Sequence, residues 1–227
     1  MAQNPEPPYQ SQFWSRKNSF GLFVEGAPTS SHMLIGTTRQ RVLLALGGAY
    51  SRRIFVTGPV AFSYNVEFRP VMMESDPVLR SLNSFLKGPV SFTPAMPVIN
   101  PHNLIEDPNL VMYTIGGYND AVFGRRWTYA GGLSPLGFQF HFLNRHRWQP
   151  ELIGQAGFMV SPRDLPIFNS SQFNFTFQFG AGLEYYYANQ RSLMFEYRYH
   201  HFSNDFTGTN NPGTDSGVYK LTYWFGH

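Results

Sequence analysis

The chain lacks cysteine and has no long apolar run, and each absence narrows the range of folds. With no cysteine among its 227 residues, it has neither a disulfide scaffold nor a thiolate site. It also has no uninterrupted apolar stretch of about 18 residues, the length that a membrane-spanning helix needs. If this protein is in a membrane, it must cross it with tilted strands of roughly 9–11 residues each.

Charged residues are few and aromatic residues are many. Charged side chains make up 14% of the chain, aromatic ones 17% and hydrophobic ones 42%, a profile that is unusual for a soluble enzyme. The formal net charge of +3 is only weak evidence for an anionic partner, and we expect no nucleic-acid partner. The length fits a single domain.

The first residues do not have the pattern of a secretory signal. Residues 1–12 carry no positively charged segment followed by an apolar segment, so no signal peptide is visible. Because Ala2-Gln3-Asn4-Pro5 looks like a freshly cleaved mature end behind a start methionine, we expect that an export signal has been removed. We predict an N-terminal arm over residues 1–18 and one domain over residues 19–227.

Strict alternation of apolar and polar residues is the strongest structural signal. It runs from Gln172 to Tyr187, and shorter stretches of the same kind cover residues 62–69 and 136–142. Helical periodicity cannot produce this pattern. In the first stretch, the apolar side consists of Phe173, Phe175, Phe177, Phe179, Ala181, Leu183 and Tyr185. We therefore predict strands with a polar inner face and an apolar outer face.

Further segments complete a barrel. They lie near residues 19–27, 40–52 and 148–160, and the two arms of a hairpin over residues 191–225 follow. The total is eight strands, an even number as expected for a small outer-membrane barrel. The predicted fold is thus all-β, an eight-stranded antiparallel transmembrane β-barrel without a second domain.

Connection lengths predict the orientation of the barrel. Short gaps near 53–58, 143–147 and 188–190 alternate with long ones, which lie near 28–39, 71–125, 161–170 and 204–214. Short turns face the periplasm and long loops face outside in such barrels. The proline-rich stretch 71–125 is predicted to be an irregular external excursion, with a short helix at Asp76–Leu86.

The final hairpin carries polar residues on its apolar face. Since side chains alternate along a strand, His201 and Ser203 share the face of Phe195, Tyr197 and Tyr199. In the returning arm, Asp215 has the parity of the apolar residues Tyr219, Leu221, Tyr223 and Phe225. The opposite face, with His141, Glu196, Arg198 and His200, is predicted to point into a polar barrel interior.

This arrangement suits nucleophilic catalysis. A serine hydroxyl needs a neighbouring base, and the base needs a third group to hold its tautomer. His201 and Ser203 are two residues apart on one face, and Asp215 completes the set if the register brings it opposite His201. Asn204, together with a backbone N–H of the following loop, is a candidate oxyanion donor.

Structural roles are the alternative. A His-x-Ser sequence at a strand end is common, Asp215 also suits a turn, and Asn204 also suits a loop cap. Polar side chains on a lipid-facing stripe are costly, however, unless they have a function. Their joint placement favours a hydrolase that acts on lipid.

The segments His201-Phe202-Ser203-Asn204 and Asn211-Pro212-Gly213-Thr214-Asp215 resemble the active hairpin of the outer-membrane lipid A 3-O-deacylases, the PagL-type family. The resemblance is strongest over residues 130–227. It implies an eight-stranded barrel in the bacterial outer membrane with the catalytic groups on its outer surface. Family members can carry Glu at the position of Asp215 and Gly at the position of Phe206.

The same resemblance implies residue roles. Ser203 would be the nucleophile, His201 the general base and acid, Asp215 the orienting carboxylate and Asn204 the oxyanion donor, without a metal or other cofactor. The reaction would be hydrolysis of the ester-linked 3-hydroxyacyl chain at the 3-position of lipid A.

The expected partner is lipid A, or lipopolysaccharide, in the outer leaflet. It would approach laterally and lay its acyl chain along the exposed aromatics Tyr197 and Tyr199, while basic residues of the external loops meet its phosphates. Two alternatives stay open, namely a phospholipase-like esterase on the same scaffold and a non-catalytic barrel that acts in binding or adhesion through the 71–125 segment.

Overall fold

The computed structural model describes residues 14, 16–82, 90–91, 121–166 and 170–226. Within these residues, nine strands follow one another: β1 (Asn18–Ala27), β2 (Val42–Thr57), β3 (Val60–Leu82), β4 (Val90–Ser91), β5 (Ala121–Phe142), β6 (Trp148–Leu165), β7 (Ser171–Ala188), β8 (Arg191–Ser203) and β9 (Thr214–Gly226). All of the pairings between these strands are antiparallel.

Eight of these strands form a closed barrel. Their order is β2-β1-β9-β8-β7-β6-β5-β3, and a further pairing between β2 and β3 closes the ring. The two-residue β4 pairs only with β3, outside the ring. The predicted eight-stranded antiparallel barrel is therefore confirmed. In the part of the chain that the structure describes, no helix is long and apolar enough to cross a membrane.

The barrel is polar inside and apolar outside. Along β7, Phe173, Phe175, Phe177 and Phe179 are exposed, whereas Asn174, Thr176 and Gln178 between them are buried. This alternation confirms the predicted facing of the strands. Glu196, Arg198 and His200 are buried as expected.

A network of ion pairs fills the middle of the barrel around Glu67. Its carboxylate accepts hydrogen bonds from Arg198 at 3.0 Å, from Arg69 at 2.5 Å and from the ammonium group of Lys220. Arg69 also binds Glu25 at 2.7 Å. An eight-stranded barrel is just wide enough for side chains to fill, and matched buried charges of this kind tie together strands that are not neighbours.

The third and fifth strands are longer than the sequence indicated, and the helix expected at Asp76–Leu86 is wrong for residues 76–82. There β3 continues, and Asp76 pairs with Arg126 of β5 in the register. The Asp76 carboxylate is buried and binds Arg126 at 2.8 Å as well as Arg41. Pairing with β5 satisfies the backbone that a helix would otherwise satisfy by itself. Residues 83–89 and 92–120 of the predicted excursion lie outside the described residues.

The connections divide between the two ends of the barrel. The connections at 58–59, 143–147 and 189–190 lie at one end of the barrel, here called the short-turn end, and those at 28–41, 166–170 and 204–213 lie at the other, here called the long-loop end. At the short-turn end, Arg16 of the N-terminal arm is buried and binds Glu184 of β7 at 2.5 Å. His201, Ser203 and Asp215 lie at the long-loop end.

Candidate active site

Strand register brings His201 and Asp215 together and places Ser203 on the same face of the sheet. In the β8–β9 pair, His201 is directly opposite Asp215. On the other side of β8, His201 faces Phe177 and Ser203 faces Phe175. Directly opposite residues in a sheet project to the same face, so the polar pair lies within an aromatic outer wall.

A hydrogen bond joins the imidazole to the carboxylate. His201 Nδ1 and Asp215 Oδ1 are 2.7 Å apart. Because Nδ1 is engaged by the carboxylate, the other ring nitrogen, Nε2, is the one left to exchange a proton with a hydroxyl. This is the arrangement of a general base held by an orienting acid.

Asp215 is itself held by a dense set of donors. The Tyr199 hydroxyl donates to Oδ1 at 2.7 Å. The backbone N–H groups of Met33, Leu34 and Ile35, in the loop between β1 and β2, donate to Oδ2 at 3.2, 2.7 and 3.0 Å. Such donors stabilise the ionised carboxylate and fix Oδ1 toward the imidazole.

Ser203, the last residue of β8, is half-buried. Among the described residues its hydroxyl makes no hydrogen bond, so the expected contact with His201 is not formed in this structure. Catalytic hydrogen bonds are often long without substrate and tighten in the reactive complex. Ser203 and His201 nevertheless share the outer face, as the alternation predicted.

Glycine at position 213 leaves room for the imidazole. Gly213 has φ +60°, and a Cβ added there would lie 2.8 Å from His201 Cε1. Any other residue would be strained in this backbone conformation and would also push the ring away from its place. The turn residue thus shapes the site directly.

Asn204 shapes the loop after β8. Its side-chain N–H donates to the carbonyl of Asn210 at 2.8 Å, and its side-chain oxygen accepts from the Phe206 N–H at 3.0 Å. The Thr207 N–H donates a hydrogen bond to the backbone carbonyl of Asn204 at 2.9 Å. Asn204 is buried and acts here as the loop cap that was the structural alternative. One of its two amide hydrogens is therefore already used within the loop.

The two tyrosines predicted to contact an acyl chain differ. Tyr197 is 45% exposed on the outer wall, but Tyr199 is only 7% exposed, so its expected exposure to lipid is wrong. Gly217 lies opposite Tyr199, and the Tyr197 ring leans over this glycine, while Phe179 packs at 5.0 Å on the Tyr199 ring. Covered in this way, Tyr199 turns its hydroxyl to Asp215.

Sequence reasoning missed the contribution of the loop between β1 and β2. Its contacts with Asp215 join residues about 180 positions apart, and no local pattern reveals such a contact. The one available signal was the apolar triplet Met33-Leu34-Ile35 before Gly36 within a long external loop. The sequence did not reveal the role of Tyr199, because the alternation along β8 placed this residue on the exposed outer face.

Comparison with known proteins gives one family match. The family model described as lipid A 3-O-deacylase (PagL) matches residues 105–224. A comparison with curated protein sequences gives no significant match.

Solved barrels resemble this fold at low sequence identity. The crystal structure of the outer membrane enzyme PagL superposes with a TM-score of 0.52 at 14% identity, covering 92% of this chain and 99% of that one. Neisserial surface protein A gives a TM-score of 0.45 at 11% identity, covering 92% and 99%. The first of these likenesses supports the barrel fold.

Proposed function

The chain belongs to the lipid A 3-O-deacylase (PagL) family, and from this premise we propose that it is a serine esterase of the bacterial outer membrane. Its substrate is lipid A, or lipopolysaccharide, in the outer leaflet. The bond it cleaves is the ester that joins the 3-hydroxyacyl chain to the 3-position. Ser203 is the nucleophile, His201 the general base and acid, and Asp215 the orienting carboxylate.

One observation carries the mechanistic part of the proposal. The imidazole of His201 is bound through Nδ1 to Asp215 at 2.7 Å, on the same outer face as Ser203. This pair lies among exposed phenylalanines rather than in the polar interior. Because ionisable groups on such a face are costly without a purpose, their hydrogen-bonded placement favours catalysis over a structural role.

The reaction proceeds in two acyl-transfer steps. The Ser203 oxygen attacks the ester carbonyl while His201 Nε2 takes the hydroxyl proton. The tetrahedral intermediate collapses, the bond to the sugar oxygen breaks, and the imidazolium returns the proton to that oxygen. Water then attacks the acyl-serine ester with His201 again as base, which releases a 3-hydroxy fatty acid and restores Ser203.

A developing oxyanion needs a donor at each attack. The second amide hydrogen of Asn204 is our candidate, since the residue follows Ser203 directly. The N–H groups of Phe206 and Thr207 are already bonded to Asn204, so they are poorer candidates. This assignment follows the family resemblance of the His201–Asn204 segment.

Substrate reaches the site within the membrane plane. The exposed Phe175 and Phe177 of β7 lie beside Ser203 and His201, and the exposed Tyr197 lies below them on β8. These aromatics offer an apolar surface on which an acyl chain can lie while its ester carbonyl meets Ser203. A lipid in the outer leaflet can diffuse directly against this wall.

Mass spectrometry of lipid A tests the proposal. Lipid A is incubated with the purified barrel in detergent, with Ser203→Ala as the matched control. We expect the loss of one 3-hydroxyacyl mass with the unsubstituted chain alone. Unchanged lipid A with cleaved phospholipids would instead support a phospholipase, and no cleavage of either would support a non-catalytic barrel.

A further inference from the structure

The loop between β1 and β2, residues 28–41, is fixed on top of β9. Isolated bridges pair Ser30 with Ser216 and Thr38 with Thr214. The Thr37 N–H donates to the Pro212 carbonyl at 2.8 Å. Since both ends of the loop are attached to β9, its middle has a defined position beside Asp215.

The middle of the loop lies directly against the catalytic carboxylate. Gly36 approaches so closely that an added Cβ would lie 2.5 Å from the Asp215 nitrogen and 2.6 Å from Oδ1. His32 Nδ1 lies 2.8 Å from the Gly36 carbonyl and braces the turn. The backbone of residues 33–35 thereby presents its N–H groups to Asp215 Oδ2.

The side chains of the same three residues stay exposed. Met33 is 41%, Leu34 59% and Ile35 63% exposed. Three consecutive large apolar side chains at an exposed loop form a patch of the kind that marks a binding surface. Their backbone N–H groups are hydrogen-bonded to Asp215, so the patch cannot move away from the site without breaking these hydrogen bonds.

This patch and the β7 aromatics lie on opposite sides of the catalytic residues. Around the barrel the order is β7 with Phe175 and Phe177, then β8 with Ser203, then β9 with Asp215, and then the patch. Both flanks are apolar and exposed. Apolar side chains are therefore exposed on both sides of the catalytic residues, and such an arrangement can hold a hydrocarbon chain on each side of an ester.

We propose that Met33, Leu34 and Ile35 form a second acyl-chain contact of the active site, opposite the β7 aromatics. The occupant is an acyl chain of the lipid substrate. This inference rests on the proposed function and extends it. A chain lying on the patch holds residues 33–35 down on Asp215, so the loop binds substrate with its side chains and orients the carboxylate with its backbone.

A chain-length comparison tests the proposal. Hydrolysis of p-nitrophenyl butyrate and p-nitrophenyl decanoate by the full chain in detergent micelles gives kcat/KM for a short and a long acyl group. In the variant Leu34→Ala/Ile35→Ala we expect the long-to-short ratio to fall about tenfold, because the long acyl group loses apolar contact area that the short one never had. The fall should come mainly from a higher KM for the decanoate.

Two further variants separate this contact from general effects. Ile54→Ala/Val56→Ala removes exposed apolar side chains at the short-turn end of β2, and should leave the ratio unchanged. Leu34→Met/Ile35→Val keeps the patch apolar and should keep the ratio. An unaltered ratio in Leu34→Ala/Ile35→Ala, or an equal fall in the Ile54→Ala/Val56→Ala control, overturns the inference.

Failure of the proposed function has a different signature. In that case the unsubstituted chain and Ser203→Ala give the same hydrolysis of both esters, and the inference fails with the proposed function. Ser203-dependent hydrolysis with an unaltered ratio leaves the proposed function in place and overturns only the acyl-chain contact.

Discussion

His201 and Asp215 lie directly opposite each other on β8 and β9, and a 2.7 Å hydrogen bond joins Nδ1 to Oδ1. A shift of the pairing by one residue would turn every side chain of one strand to the other face and would place Asp215 in the barrel interior. The pairing of these two strands therefore determines whether the outer wall can carry this catalytic pair.

Replacing Asp215 by asparagine should abolish most activity. Three backbone N–H groups face Oδ2, so the asparagine oxygen will occupy that position and its NH₂ group will face His201. The imidazole must then accept at Nδ1 and carry its proton on Nε2, which cannot act as a base toward Ser203. We expect kcat for a p-nitrophenyl ester to fall on the order of 10⁴-fold. Asp205→Asn, in the following exposed loop, is the matched control, and an equal loss there would contradict this explanation.

Tyr199→Phe should lower kcat and leave KM nearly unchanged. The substitution removes the 2.7 Å hydrogen bond to Asp215 and keeps the ring that packs on Phe179. A hydrogen bond to a charged group contributes about 1.5 kcal/mol, so a fall of about tenfold is expected in steady-state kinetics. Tyr219→Phe removes an exposed hydroxyl from the same wall and serves as control. A change confined to KM would indicate a substrate contact instead.

Gly213→Ala should lower the activity of the protein without unfolding it. The added methyl group would lie 2.8 Å from the His201 ring, and the backbone has φ +60°. Displacement of the imidazole is expected to lower kcat at least tenfold, since misplacement by about 1 Å can cost about 100-fold. Gly154→Ala, in β6, adds the same group where no atom lies within 4 Å. If both variants keep full activity, the ring is not confined as we describe.

Two buried glutamates should respond in opposite ways to neutralisation. Glu67→Gln leaves Arg69, Arg198 and Lys220 with less negative charge around them, and breaking a buried pair costs about 3 kcal/mol. Among the described residues, neither side-chain oxygen of the buried Glu151 makes a hydrogen bond. Glu151→Gln should therefore be neutral or stabilising.

Urea unfolding in phospholipid vesicles, followed by tryptophan fluorescence, measures both free energies of unfolding. The expected result is a lower midpoint for Glu67→Gln and an unchanged or higher midpoint for Glu151→Gln. Equal destabilisation in the two variants would show that the cations around Glu67 do not make its charge more important for stability than that of Glu151.

Alternation made most of the barrel predictable. A strand with one polar and one apolar face can be recognised directly from the alternation in its sequence. Residues 172–187 have this alternation over almost the whole of β7. The ends of β3 and β5 were not predictable, because Asp76-Pro77 has the local signature of a helix start. This segment is extended because it pairs with β5, which lies about 50 residues further along the chain.

The candidate site was predictable only in part. The parity of His201, Ser203 and Asp215 placed all three on the outer face, but the ten residues of the intervening loop, 204–213, do not define a register. The backbone donors at residues 33–35 and the Tyr199 hydroxyl depend on tertiary packing around Asp215. Local patterns contain no information about such distant contacts.

Covalent labelling of the nucleophile tests the central claim most directly. Outer-membrane vesicles carrying the full chain are treated with a fluorophosphonate probe, and the adduct is located by peptide mass spectrometry. We expect a single probe mass on the peptide that contains Ser203, and strongly reduced labelling in His201→Ala, because only an activated serine reacts. Lipid A deacylation by a chain whose Ser203 stays unlabelled, or equal labelling in His201→Ala, would contradict it.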